Sequence, residues 1–180
     1  MKTVLDDITV CDNFLSDDEF KHIENIIMNQ YFPWYHSSYV AADIDYDMRH
    51  WYNLHTFYNE NVPISKYYND VYEIFMPKID QTYRNSITLP SLKSILIRIK
   101  ANFYPWTETL HEHALHSDYH YDIKTIIFSL NTCDGYTKFE NGTKFNSVEN
   151  KALFFNGKDK HLSTTTTSCK GRYNIVFNFF

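Results

Sequence analysis

From residue 95 to the end of the chain, apolar residues recur at every second position, and that period decides the fold class before any single residue does. In SILIRIKANFY, Ile95, Ile97, Ile99 and Phe103 fall on one face, and Arg98, Lys100, Asn102 and Tyr104 on the other. The closing RYNIVFNFF sets Tyr173, Ile175, Phe177 and Phe179 against Arg172, Asn174, Val176 and Asn178. Between them KTIIFSLN, YTKFENGTKFNSV, KALFFNG and HLSTTTT read as further short strands, the second a hairpin turned at Asn141-Gly142. The Thr164 to Thr167 run suits an edge strand. Six or more short strands with turns between them are expected to close on one another as two sheets.

A helical period is confined to the N-terminal half. In DNFLSDDEF, Ser16 and Glu19 form a capping box, and Leu15 and Phe20 sit at the staple positions. Phe20, Ile23 and Ile27 then continue a buried stripe to about Gln30. A second helix is expected to open at Pro63 and to bury Tyr68, Val71, Tyr72, Phe75 and Ile79. Residues 31 to 60 have poor periodicity. They read as a strand or two with aromatic packing, or as an aromatic lid over a site built from Trp34, Tyr35, His36, Arg49, His50 and Trp51. Asp43, Asp45 and Asp47 begin like a calcium loop, but the sixth position lacks Gly and the twelfth is Leu54, which excludes an EF-hand. The expected architecture is mainly β (α+β): a jelly roll, or double-stranded β-helix, with N-terminal helices packed on one sheet and residues 1–180 forming one domain.

Composition narrows the function. A net charge of -5 argues against a nucleic-acid partner, because phosphate binding leans on a surplus of Lys and Arg. Three cysteines, Cys11, Cys133 and Cys169, form neither a CxxC nor an even set, so a disulfide framework and a zinc ribbon are both unsupported. The N-terminal segment lacks the apolar core of a signal peptide, and no apolar run approaches a membrane span. A cytoplasmic location is expected, the host's cytoplasm for a viral chain.

Chemistry concentrates in HEHALHSD, residues 111 to 118. Residues two apart on a strand point the same way, so His116 and Asp118 can hold one ion from one face, with His161 as a third ligand from a distant strand. Two imidazoles and one carboxylate leave coordination positions open, which suits non-haem Fe(II) rather than a closed structural zinc site. Spacing alone is weak evidence. Chance gives ~0.7 H-x-D pairs in a chain this rich in His and Asp, and His120 with Asp122 repeats the pattern. Solvated loop histidines are the plain alternative. Arg172, on the polar face of the last strand, is suited to pair in a fork with a dicarboxylate near the metal, or else to make a surface ion pair.

Taken together, HSD at 116 to 118, His161 and Arg172 resemble the H-x-D…H…R pattern of the 2-oxoglutarate- and Fe(II)-dependent oxygenases, specifically the compact prolyl-4-hydroxylase-like branch of bacteria and phages. DNFLSDDEF is similar to that branch's opening helix, and IRIKANFYP to the strand leading into the metal motif. Leu130, Asn131, Gly135, Thr137 and Phe139 match its Y-L-N…G-x-T-x-F segment, and NKALFFNG and GRYNIVFNFF complete the likeness over most of the chain. The resemblance implies Fe(II) on His116, Asp118 and His161, and 2-oxoglutarate anchored by Arg172 and contacted by Tyr104, with Asn102, Lys124 and Asn131 in the same pocket. It implies hydroxylation of a peptidyl or free amino-acid side chain, as in a prolyl 4-hydroxylase, coupled to decarboxylation of 2-oxoglutarate to succinate, with ascorbate as a reductant. The partner is then a peptide, protein or small molecule. The nucleic-acid demethylase branch ends in R-x-N-x-x-x-R, whereas Asn178 stands at the final position here. Two other readings stay open: a cupin-like metal dioxygenase without 2-oxoglutarate, recruiting His113 or His120, and a non-catalytic jelly-roll binding module.

Overall fold

Nearly all of the period-two segments become strands in the computed structural model, which describes residues 2–5, 8–41, 51–84 and 94–180. In chain order these are β1 (Lys2–Leu5), β2 (Ile8–Cys11), α1 (Asp17–Ile27), β3 (Tyr35–Ser37), β4 (Tyr52–Asn59), β5 (Val62–Pro63), α2 (Tyr68–Arg84), β6 (Leu96–Pro105), β7 (Lys124–Ser129), β8 (Tyr136–Phe139), β9 (Lys144–Asn146), β10 (Lys151–Asn156), β11 (His161–Ser163) and β12 (Gly171–Phe179). The large sheet runs β1-β2-β10-β7-β12-β6-β4-β3, with β5 paired to β4, and a small sheet runs β11-β8-β9. The fold is the expected jelly roll.

Two cores follow from the alternation. On one side of the large sheet, Ile99 and Ala101 of β6, Ile126 and Phe128 of β7, and Ile175, Phe177 and Phe179 of β12 pack on Phe20, Ile23 and Ile27 of α1 and on Val71, Phe75 and Ile79 of α2. The Phe75 ring lies 4.9 Å from Phe128 and 4.7 Å from Phe177. Between the sheets a smaller core joins Ile127, Leu153, Phe155 and Val176 to Phe139 of β8.

Local signals were accurate where they were self-contained. The Ser16–Glu19 capping box is complete, with both reciprocal bonds made. The Asn141-Gly142 turn joins β8 to β9, with Gly142 at φ 88, a value a side chain rarely adopts. Pro63 does not open the second helix. It closes the short β5, which pairs with Tyr58 on β4, and α2 begins at Tyr68 after a turn in which the Tyr67 amide donates to Ser65 Oγ. Tyr72 faces outward rather than inward. Ile95 is exposed as well, since it precedes β6. The Thr164 to Thr166 run is wholly buried instead of forming an edge, because the histidine-rich stretch lies along it. Within residues 31 to 60, β3 and β4 are the expected strands, and Trp34 packs on Phe103 and Tyr173. Asp43, Asp45, Asp47, Arg49 and His50 lie outside the described residues. No helix among the described residues is long and apolar enough to cross a membrane.

Candidate metal centre

The chain between β6 and β7 is irregular, yet it is pinned at three points to the segment around β11: Trp106 to Thr166, Glu112 to Thr164, and His116 to His161. Side chains reinforce the seam, since Thr107 Oγ1 donates to Thr165 Oγ1 at 2.6 Å and the His111 amide donates to the same hydroxyl at 2.9 Å. The last pin is reciprocal. The His116 amide donates to the His161 carbonyl at 2.9 Å, and the His161 amide returns a bond of 2.8 Å.

That pairing brings one nitrogen each of His116 and His161 and one carboxylate oxygen of Asp118 within 4.8 Å of one another, the only such group of three among the described residues. Both rings are oriented from behind. His116 Nδ1 lies 3.1 Å from the Ala114 carbonyl and His161 Nδ1 2.9 Å from the Asp159 carbonyl. A carbonyl only accepts, so each Nδ1 carries the proton and each Nε2 keeps a lone pair to offer a cation. The Asp118 carboxylate is steered in the same way: Asn178 Nδ2 donates to Oδ2 at 3.0 Å, Thr125 Oγ1 donates to it at 3.3 Å, and Arg98 Nη2 stands 3.6 Å from Oδ1.

Electrostatics suits these groups to a cation. Burial, with His161 alongside, pushes the His116 imidazolium down to about 4, so the ring is neutral at physiological pH. Burial would raise the Asp118 carboxyl, but His161, Arg98, Lys100 and the Asn178 amide outweigh it and hold the group below its usual range. A neutral His116 imidazole, the His161 ring and an ionised carboxylate form a donor set suited to a divalent cation, with positions left open.

A polar pocket is lined by these three side chains together with, among others, Lys100, Asn102, Tyr104, Thr137, Ser163 and Asn174. Arg172 lies behind two of these lining residues, Thr137 and Tyr104. The guanidinium is 1% exposed, donates to the Tyr136 carbonyl at 2.7 Å and to Thr137 Oγ1 at 2.9 Å, and sits 5.6 Å from the Tyr104 ring centroid. Its Nε has no partner, and among the described residues no carboxylate pairs with it. Asn102 donates to Asn174 Oδ1 at 2.9 Å, while its own Oδ1 is buried without a partner. Gly135 leaves space for the arginine stem, since a Cβ there would stand 2.8 Å from Arg172 Cδ.

The structure therefore gathers His116, Asp118, His161, Tyr104 and Asn102 around one pocket with Arg172 behind it. It places Lys124 and Asn131 elsewhere. Lys124 opens β7 on an exposed position, and Asn131 is committed to the backbone, donating to the Gly171 carbonyl and accepting from the Tyr173 amide, both at 2.9 Å. His113 is buried beside Ser163, 2.9 Å from its hydroxyl, and His120 is exposed, so neither joins the ligand group that a cupin-like site would need. Lys100, Thr137, Ser163 and Asn174 line the pocket although the sequence did not mark them as site residues. Two of them were readable by alternation: Lys100 and Asn174 each share a strand face with a candidate already named.

No protein-family model matches the sequence, and no curated protein is found as a relative. Solved structures do match. A prolyl hydroxylase from Trichoplax adhaerens, in complex with a hypoxia inducible factor oxygen degradation domain peptide fragment, is 13% identical with a TM-score of 0.66, over 97% of this chain and 83% of its own. A 2OG-Fe(II) oxygenase family oxidoreductase from Burkholderia pseudomallei is 9% identical with a TM-score of 0.68, over 96% and 85%. The viral collagen prolyl hydroxylase of Paramecium Bursaria Chlorella virus-1, in its 2OG complex, is 15% identical with a TM-score of 0.59, over 96% of each chain. At these identities the likeness is one of architecture, and the chain has the fold of the 2-oxoglutarate- and Fe(II)-dependent oxygenases.

Proposed function

We propose that the chain is a 2-oxoglutarate- and Fe(II)-dependent dioxygenase that hydroxylates a peptidyl or free amino-acid side chain, converting 2-oxoglutarate to succinate. The observation that carries this reading is a buried guanidinium without a carboxylate, Arg172, packed behind Thr137 and Tyr104 of a polar pocket that two imidazoles and a carboxylate also line. An unpaired cation in an interior is costly unless an anion arrives to meet it, and a dicarboxylate bridging metal and arginine would do so.

Fe(II) would be held by His116, Asp118 and His161, where it supplies the oxygen activation that side chains cannot. The protein's share is orientation. The Ala114 and Asp159 carbonyls fix both imidazole tautomers, and Asn178 and Thr125 fix the carboxylate. The distal carboxylate of 2-oxoglutarate would take the unused donors of Arg172, with the Tyr104 hydroxyl alongside. Burial holds the Tyr104 phenol protonated, so it remains a hydrogen-bond donor. Apolar Ile127 and Val176 restrict water on the sheet side of the pocket. The prolyl hydroxylases among the matching structures support the amino-acid side chain as the substrate class.

The test is incubation of the protein with Fe(II), ascorbate, 2-oxoglutarate and a panel of peptides and amino acids. Succinate should form only with iron, and one oxygen should be added to a substrate. No succinate from protein that has bound both metal and 2-oxoglutarate would overturn the reading, as would unchanged turnover in Asp118→Ala.

A further inference from the structure

Two of the three cysteines, far apart in sequence, are brought to one place beside Arg172. Cys133 lies in the turn between β7 and β8, and Cys169 in the stretch between β11 and β12. The two stretches are laced together next to the thiols. The Asp134 amide donates to Ser168 Oγ at 3.0 Å, and the Asp134 carboxylate accepts from the Thr167 amide at 2.9 Å and from Thr166 Oγ1 at 2.6 Å. One hydroxyl reaches both sulfurs: Thr166 Oγ1 is 3.6 Å from Cys169 Sγ and hydrogen-bonds with the Cys133 thiol. The third cysteine, Cys11 on β2, packs instead against the helix-side core.

Access to the pair is direct. Both thiols are free and neither is fully buried, and Cys169 borders an open surface groove with Trp106, Thr167, Ser168 and Lys170. A small oxidant therefore reaches Cys169 from solvent. Burial pushes the Cys133 thiol up, against the Gly135 amide and the Thr166 hydroxyl, so Cys133 is suited to respond second. The stretches that carry the pair also hold Arg172. Gly135, two residues beyond Cys133, packs so closely that a Cβ would stand 2.8 Å from both Arg172 Cδ and the Thr165 carbonyl. Arg172 itself follows Cys169 by three positions and donates to the Tyr136 carbonyl at 2.7 Å. The arginine stem has no slack on this side, so movement of either stretch reaches the guanidinium.

We infer that Cys133 and Cys169 are a reversible redox pair beside the co-substrate anchor, and that closing them into a disulfide loosens the hold of Arg172 on a dicarboxylate. The Cys169 thiolate attacks one sulfur of a small disulfide such as glutathione disulfide, whose S–S bond breaks and releases one thiolate. The Cys133 thiolate then attacks the Cys169 sulfur of the mixed disulfide, and a second small thiolate leaves. Two protein thiols are oxidised to one disulfide, one small disulfide is reduced to two thiols, and the protons lost by the protein pass to the departing thiolates. Closure brings the sulfurs to ~2 Å and draws the two stretches together, with Gly135 already against the arginine. The redox pair stands on the thiols alone, whereas its effect on a dicarboxylate rests on the oxygenase reading.

The experiment treats the full chain with glutathione disulfide or with dithiothreitol, desalts it, blocks the remaining thiols with a maleimide and maps them by mass spectrometry. The oxidised protein should carry the maleimide at Cys11 alone and yield two peptides joined through Cys133 and Cys169. Calorimetry on the Mn(II)-loaded protein should show 2-oxoglutarate binding about tenfold weaker after oxidation, and restored by dithiothreitol. The double variant Cys133→Ser/Cys169→Ser should keep the reduced wild-type affinity after either treatment. Glutathione adducts without the internal pair, or a disulfide through Cys11, overturn the inference. So does a mapped Cys133–Cys169 disulfide that leaves 2-oxoglutarate affinity unchanged, or a weakening that persists in the double variant. Reduced wild-type protein that binds neither Mn(II) nor 2-oxoglutarate overturns the oxygenase reading instead, and the peptide map, which needs no ligand, still decides the redox pair.

Discussion

His116 and His161, 45 positions apart in the chain, are joined backbone to backbone by a reciprocal pair of hydrogen bonds, 2.9 Å one way and 2.8 Å the other. Two imidazoles from separate segments are thereby held in register by the backbone alone. A cation that binds only the folded state should stabilise it by about 2.7 kcal/mol at a hundred times its dissociation constant. Thermal melts with and without Mn(II) should show that rise in the wild type, and Asp118→Ala should abolish it.

Arg172→Met should separate co-substrate from metal. Charge-assisted hydrogen bonds contribute about 1.5–3 kcal/mol, so 2-oxoglutarate affinity should fall roughly 10- to 100-fold. Mn(II) affinity should stay unchanged, because Arg172 is not among the three ligands. Calorimetric titration of each reads both quantities.

Gly135→Ala should reproduce a weaker form of that defect from a residue expected to touch no ligand. Its added Cβ would meet Arg172 Cδ and the Thr165 carbonyl, both at 2.8 Å, so the arginine stem must shift. Weaker 2-oxoglutarate binding with intact Mn(II) binding is the expected pattern. Wild-type affinity for both would show that the stem has room to spare.

His55 should impose an acid limit on stability. Burial lowers its proton affinity, against the opposing Pro33 carbonyl, and the ring is wedged between that carbonyl at 2.8 Å and Ser65 Oγ at 2.7 Å. The folded state therefore binds a proton less readily than the unfolded chain. Stability is fully present above the ordinary histidine value of about 6.5 and is lost as pH falls below it. Urea midpoints at successive pH values should decline over that range, and His55→Gln should flatten the slope.

Phe75→Ala tests the helix–sheet core. The ring is fully buried between Phe128 and Phe177, and truncations of this kind cost about 3–5 kcal/mol. Chemical denaturation should show a loss in that range, large against the stability of an ordinary domain.

Legibility in the sequence followed the range of the interaction involved. The capping box and the Asn-Gly turn rest on contacts within a few residues, and both were readable. So was the inward row of β12, where Ile175, Phe177 and Phe179 enter the core and Arg172 and Asn174 face the other way. The start of α2 was not readable, because Pro63 is equally suited to a helix start and to a strand edge, and pairing with β4 decided between them. Lys124 was indistinguishable from a pocket residue because β7 is buried on both faces after its first position and alternation carries no information there. Asn131 sat in a motif segment, and only tertiary contacts show that it clamps the β12 backbone. Lys100 was passed over because a lysine on an alternating strand reads as a solvated face, whereas here that face lines the pocket.

Strand β6 turns Ile99 and Ala101 to the helices and Lys100, Asn102 and Tyr104 to the pocket. Only the thickness of a peptide plane separates the two sets. Repacking of the helical layer would therefore tilt the groups that meet the ligand, so drift in the interior and drift in selectivity are mechanically tied. Freedom to acquire new substrates is then concentrated in the rim around Tyr52, since the irregular stretch before β7 is itself pinned to the β11 segment and carries His116 and Asp118.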